Sequence, residues 1–422
     1  MNFGEGLMYV TSFFGLFTSI YFLFTLLENK KFLKNPAPLK EILPKVSVIV
    51  PAFNEEDTIE DTIKSLLNLD YPKEKLDIYI IDDGSSDKTY EVSKKFAADN
   101  VFVYHKENGG KASALNFALK KADSEFVASL DADSFVSPDA LKKMIGYFNS
   151  ESVMAVTPSL KVYKARTILQ KVQRIEYLFG IFLRKVFAFL GCIHVTPGPF
   201  TVYRKSFFIN HGGYDENNLT EDIEVALRIQ HHQYVIENSV NASVYTVSPT
   251  KWKTLLKQRL RWYVGFTENV IRYKHIFSAK HGQLGLFILP ASFLSVILAI
   301  LTLGYMFQQT IRQNAKALMN MYSVDFDILS FIRPNTDLFF MNINTLTFIG
   351  VFAVTAGIII IWSAKKISEE KESIKFSYVL FMVLYWALFA FWWFMAWFYK
   401  IIGKKISWGH KSAKGDYRPD IS

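Results

Sequence analysis

Val46-Ser47-Val48-Ile49-Val50 reads as a buried strand, and Pro51-Ala52-Phe53-Asn54-Glu55 leads the chain out of it. Ile59, Ile63, Leu66 and Leu67 then recur at helical spacing. Asp77-Ile78-Tyr79-Ile80-Ile81 is the next strand; Asp82-Asp83-Gly84-Ser85-Ser86 follows, and Asp87 is placed to cap a helix. Val101-Phe102-Val103-Tyr104, a helix from Lys111 and the strand Glu125-Phe126-Val127-Ala128-Ser129-Leu130 repeat the alternation. This rhythm predicts βαβ units and a parallel sheet, hence an α/β domain. Ligands of such sheets bind beyond the carboxyl ends of the strands, which is where the acidic residues fall.

Around this core the composition changes. The chain has 422 residues, half of them hydrophobic, and a formal charge of +9. That composition excludes a disordered protein, and the single Cys192 excludes an internal disulfide or a Cys-based zinc site. Residues 45–250 hold 23 basic and 27 acidic side chains, net −4, whereas the flanks hold 25 and 12, net +13. A net acidic central domain argues against nucleic acid as a partner. The positive excess lies beside the most apolar segments, where it can meet a lipid bilayer.

Four uncharged runs are long enough to cross a membrane: Leu7–Leu27, Gly282–Ile311, Leu338–Ala364 and Phe376–Tyr399. The first lacks a basic leader and a small-residue cleavage pattern, so it reads as an anchor. Lys30, Lys31 and Lys34 follow it, which puts the central domain in the cytoplasm and the N-terminus outside. Simple alternation through four spans then sends the tail outside. Lys400, Lys404, Lys405, Lys411, Lys414 and Arg418 argue for inside. Either one run is re-entrant or interfacial, or the 308–343 stretch holds another crossing; Pro290 allows an irregular helix in the second run. Ile168–Leu190 and Thr254–Tyr273 mix large apolar side chains with Lys and Arg, as amphipathic helices lying in the headgroup layer or packed on the domain would. The chain thus divides into an anchor and linker (1–44), an α/β domain (45–250), an interfacial helix (251–281), a membrane region (282–400) and a basic tail (401–422).

Asp131-Ala132-Asp133 ends the fourth strand, and two carboxylates in one turn suit a hard divalent cation that also takes phosphate oxygens, although Asp after a strand is also ordinary turn chemistry. Asn108-Gly109-Gly110-Lys111 opens a helix and offers backbone N–H groups and a Lys to a phosphate. It has neither P-loop nor dinucleotide-fingerprint spacing. Thr220-Glu221-Asp222 opens another helix, where carboxylates serve as caps or, at a cleft edge, as a general base. In Gln258-Arg259-Leu260-Arg261-Trp262, helical spacing puts Gln258, Arg261 and Trp262 on one side. Guanidinium groups bind phosphate bidentately and a Trp face stacks on sugars. The eight His are scattered along the sequence with no ligand spacing.

In order and spacing these motifs resemble those of the membrane-embedded processive glycosyltransferases of family 2, over residues 45–265. The resemblance implies a GT-A-type, Rossmann-like domain and a hexosyltransferase that transfers a sugar from a UDP-sugar with inversion, with UDP-N-acetylglucosamine as the best-matching donor. It implies Pro51, Asn54, Glu55 and Asp83 around the nucleotide, and Lys111 and Asp131 approaching the nucleotide and diphosphate. Asp133, with Asp131, would hold Mg2+ or Mn2+. Asp222, beside Glu221, would deprotonate the acceptor; Arg259 and Arg261 would hold the diphosphate; Trp262 and Gln258 would meet the acceptor glycan. The implied product is a growing β-linked polysaccharide exported across the cell membrane, with a small membrane subunit or a homo-oligomer as a further partner. The same carboxylates would also serve a non-processive transferase loading one sugar onto a lipid carrier or short glycan. A transporter or scaffold with a nucleotide-binding domain is the non-enzymatic alternative.

Overall fold

The computed structural model describes residues 3–34, 37–323 and 345–404. The expectations for the 324–344 stretch and for Lys405, Lys411, Lys414 and Arg418 lie outside the described residues.

Eight strands form one sheet: β1 (Val46–Ala52), β2 (Leu76–Asp82), β3 (Val101–His105), β4 (Phe126–Ser129), β5 (Ser134–Val136), β6 (Val153–Val162), β7 (Thr201–Arg204) and β8 (Val235–Thr246), in the order β3-β2-β1-β4-β7-β6-β8-β5. The β3-β2-β1-β4 half is parallel, as the strand–helix rhythm predicts. The other half departs from a purely parallel sheet: β7 runs antiparallel to both β4 and β6, and β5 antiparallel to β8. Within this half β6 and β8 pair in parallel, with helices between them in the chain.

In the parallel half, β1, β2 and β4 are buried on both faces, whereas the edge strand β3 is largely half-buried. Val46, Val48 and Val50 point into one core with Ile78 and Ile80, against the helix Ile59–Leu67. Ile49, Tyr79 and Ile81 point into the other, against the helices Lys111–Lys121 and Glu221–His231. Strand order reverses between β1 and β4. Their carboxyl ends, Pro51-Ala52 and the Asp131–Asp133 turn, therefore border the crevice where such sheets bind ligands.

Beneath the sheet lie the two amphipathic segments, as helices Ile168–Phe189 and Trp252–Arg272. Among the described residues, four helices are long and apolar enough to cross a membrane: Phe3–Glu28, Leu284–Lys316, Thr345–Ile367 and Lys375–Ile401. The first packs along the second and third, with Thr11 and Thr302 hydroxyls 3.1 Å apart. The third returns to the catalytic domain, where Lys161 donates to the Ser368 carbonyl and Arg174 pairs with Glu370 and Glu372.

The fourth behaves differently. It starts beside that Arg174 cluster and packs on Ile168–Phe189, on Trp252–Arg272 and on the second membrane helix. Trp393 stacks on Tyr263 at 4.4 Å, and Lys400 reaches Glu268 at 2.8 Å. Both of its ends are thus fastened to elements on the catalytic side.

Candidate active site

The Gly109-Gly110 turn, with Gly110 at φ 88°, delivers Lys111 to the crevice at the start of its helix. Its ammonium lies 2.6 Å from Asp131 Oδ1 and 2.8 Å from Glu221 Oε1. Burial alone would lower the Lys111 pKa, but Asp131 and Glu221 reverse this and hold it raised. One ammonium so links the turn after β4 to the helix carrying Asp222. Gly198 makes room for it: a Cβ there would stand 2.7 Å from Lys111 Nζ and 3.2 Å from Asp131.

Asp133 is pushed up to about 6 by burial and by the like charge of Asp131. Glu55 is pushed up to about 8 by burial and by Asp133, although it accepts the Thr58 hydroxyl at 2.8 Å. Crowded carboxylates of this kind favour a cation. Among the described residues no three His, Cys, Asp or Glu side chains are arranged to hold one alone. One or two carboxylates completed by substrate phosphates is the usual Mg2+ arrangement, and Asp131 and Asp133 fit it.

Asp222 is pushed up to about 6, by burial first and Glu221 second, with Lys111 and Arg261 opposing. Its Oδ1 accepts the Ile223 N–H at 2.9 Å, and its carbonyl accepts the Thr196 hydroxyl at 2.7 Å. A fixed carboxylate with a pKa nearer neutrality is suited to taking a proton from a sugar hydroxyl.

Three expected site residues also hold the protein's own structure together, and of these Asp83 lines the cavity. Asp83 is buried, accepting Lys106 Nζ at 2.6 Å and Gly110 N–H at 2.7 Å, so it braces the loop that presents Lys111. Asn54, at φ 56°, accepts the Ser86 N–H at 2.8 Å and receives Ser85's hydroxyl as acceptor for its own N–H, which stitches the β1 exit to the β2 exit. Arg259 is 0% exposed and pairs with Glu176 at 2.7 Å. It belongs to the helix packing and does not line the crevice, which corrects the expectation that it holds diphosphate. Gln258 accepts from Arg259 at 2.9 Å and still lines the crevice, as do Pro51, Glu55, Arg261 and Trp262.

Arg259 nonetheless touches the site. Its guanidinium lies 4.2 Å from the Trp262 ring centre and 5.6 Å from that of Trp392 on the fourth apolar helix. Glu176, which compensates it, escaped the sequence reading because one Glu in a basic amphipathic helix carries no motif. The His also differ from expectation. His211, His231, His232, His275 and His281 gather on one surface, with His231 Nδ1 and His275 Nε2 2.7 Å apart. They come from three separate segments, which spacing along the chain cannot reveal.

A cavity of about 2310 Å³ joins these groups. It runs from Pro51 and Lys111 past Asp222 and Trp262 to Phe22 of the first membrane helix and Val296 of the second.

Residues 47–212 match glycosyl transferase family 2. The chain is 32% identical over 321 residues to a poly-beta-1,6-N-acetyl-D-glucosamine synthase of Staphylococcus epidermidis, covering 75% of this chain and 74% of that protein. It is 37% identical over 259 residues to the synthase of the same name from Staphylococcus aureus strain MSSA476, and that match spans 60% of this chain and 62% of the relative. The mannosyltransferase PcManGT from Pyrobaculum calidifontis, solved with GDP-Man and Mn2+, has a similar fold, with a TM-score of 0.59 and 20% identity over 85% of this chain and 99% of that one.

Proposed function

The chain belongs to glycosyl transferase family 2, a family of inverting glycosyltransferases, and from that premise we propose that it polymerises N-acetylglucosamine from UDP-N-acetylglucosamine and passes the β-linked chain into its membrane helices. The observation that carries this reading is the single cavity joining the catalytic carboxylates to the membrane helices. A transferase adding one sugar to a soluble acceptor has no use for such a passage.

In this reading Asp222 takes the proton of the acceptor hydroxyl as that oxygen attacks the donor's anomeric carbon opposite the leaving diphosphate. Direct attack needs one base and no protein nucleophile. Lys111 and Glu221 hold Asp222 and Asp131 in fixed relation. Arg261, which lies close enough to depress the Asp222 pKa, meets the departing diphosphate. Trp262, with Arg259 on one face, offers the acceptor sugar a stacking surface, and Gln258 hydrogen-bonds at its edge. Asp131 and Asp133 would hold Mg2+ or Mn2+, which supplies charge neutralisation at the diphosphate.

The membrane arrangement follows. The chain crosses three times, Lys375–Ile401 lies along the cytoplasmic face of the cell membrane, and the tail stays with the catalytic domain in the cytoplasm. The test of function is product size. Purified protein in lipid with UDP-N-acetylglucosamine and Mn2+ should release UDP and make long chains. Single-sugar products, or products only with a lipid phosphate acceptor, would refute polymerisation and favour the carrier-loading transferase.

A further inference from the structure

The helix Ile168–Phe189 carries four cations that differ in how they are held. Arg174 pairs with Glu370 and Glu372, Lys185 donates to the Asn238 carbonyl at 3.0 Å, and Lys171 lies over the Phe376 ring. Arg184 is the exception. Its Nη1 is buried and has no hydrogen-bond partner. Burial pulls its pKa down to about 10, with Tyr177 offsetting only part of the effect. The residue is half-buried and lines the cavity, and among the described residues no carboxylate balances its charge. A guanidinium partly withdrawn from water without a counter-charge is costly, so a ligand in the cavity that supplies acceptor oxygens is the natural counterpart.

The surroundings say where that ligand comes from. Tyr177, Gly180, Leu183, Arg184 and Phe187 form one stripe of the helix along the cavity wall. Where Gly180 would carry a Cβ there is open space, one turn before Arg184. Glu176, at the head of the stripe, holds the Arg259 that stacks on Trp262. At the other end Phe187 meets Phe22 of the first membrane helix at 5.7 Å. The stripe therefore leads from the acceptor end of the active site toward the membrane. Arg has donors only, so its partner is an acceptor oxygen.

We propose that Arg184 is a binding residue for the outgoing glycan, donating to its acetamido carbonyl and hydroxyl oxygens between Trp262 and the membrane helices, with Phe187 and Phe22 as apolar walls for the sugar rings. Holding the chain there keeps its end from diffusing away between additions. This rests on the polymerase reading above and adds to it a subsite beyond the acceptor sugar.

The test compares chain lengths at matched sugar incorporation for the wild type, Arg184→Ala and Arg184→Gln, each in bilayers of neutral lipid and in bilayers containing anionic lipid. UDP-N-acetylglucosamine and Mn2+ are supplied throughout. Arg184→Ala should shorten the mean chain about threefold or more in both bilayers, the effect of one lost hydrogen bond of modest strength. Arg184→Gln keeps amide donors and should recover part of the length. Chains of wild-type length from Arg184→Ala overturn the proposal. Shortening confined to anionic bilayers also overturns it and assigns the guanidinium to a lipid phosphate. Should Arg184→Ala lose UDP binding, Arg184→Gln decides: intermediate chains support the subsite and wild-type chains refute it. A wild type that adds only single sugars fails the polymerase reading itself, an outcome distinct from long wild-type chains that Arg184→Ala leaves unchanged.

Discussion

The crevice above the sheet and the helical belt beneath it handle charge in opposite ways. In the crevice, carboxylates crowd: Glu55, Asp133 and Asp222 are all raised by burial and by like-charged neighbours. In the belt, guanidinium groups are buried, and the two of one pentapeptide part company. Arg259 is fully enclosed against Glu176, whereas Arg261 faces the cavity and Asp222. Two residues of the same type, two positions apart, are thus divided between helix packing and the cavity wall by which helix face they occupy. The crevice concentrates negative charge, which a bound cation would relieve. In the belt Arg174 and Arg259 are instead paired with carboxylates of the protein itself.

The comparison is broken most severely by Asp222→Asn, which should lower sugar transfer about 10³-fold while UDP-sugar binding survives. Equal loss of binding in a titration would return Asp222 to a structural role. Asp133→Ala, or chelation of divalent cations, should abolish metal-dependent nucleotide binding; unchanged affinity with metal present would remove Asp133 from the ligand set. In the belt, Glu176→Gln leaves Arg259 buried without its counter-charge and should cost about 3–5 kcal/mol, read as a fall in melting temperature. Replacing both partners, Glu176→Met with Arg259→Met, should restore most of that stability. A Glu176→Gln protein as stable as the wild type would mean the pair holds nothing together.

Smaller effects sharpen the contrast. Because Asp222 must be ionised to accept a proton, transfer should fall as pH drops through about 6, the value to which its surroundings raise it. Asp222→Glu should move that inflection, and a profile flat between pH 5 and 8, a span of about three units around the ordinary His range, would exclude a titrating base of this kind. Gly198→Ala is the mildest. Its Cβ would press on Lys111 Nζ, the flexible end of a side chain, so turnover should drop several-fold without loss of folding.

The sequence made the parallel half of the sheet readable because its cause is local. Alternating runs such as Val46–Val50 and Asp77–Ile81 carry their own period, and Asp131, Lys111 and Asp222 sit at ends of elements that the period defines. What stayed hidden depends on distant partners. Arg259 looked like a phosphate ligand until Glu176, 83 residues away along the chain, was seen against it. Asp83 lines the cavity, but its bracing of the 106–110 loop depends on a segment more than twenty residues away along the chain. The antiparallel entry of β7, Gly198 beside Lys111 and the gathered His all depend on segments that no local pattern links. The fourth apolar run has the length of a membrane span, and its contacts with Tyr263 and Glu268 lie beyond any local pattern.

The central claim is that chemistry and passage share one cavity. It is tested most directly in sealed vesicles that hold the enzyme with its catalytic domain outward and receive labelled UDP-N-acetylglucosamine and Mn2+ from outside. The account predicts long labelled chains inside the vesicles, protected from an added glycan-degrading enzyme until detergent is added. Label that stays outside and is degraded without detergent would contradict it.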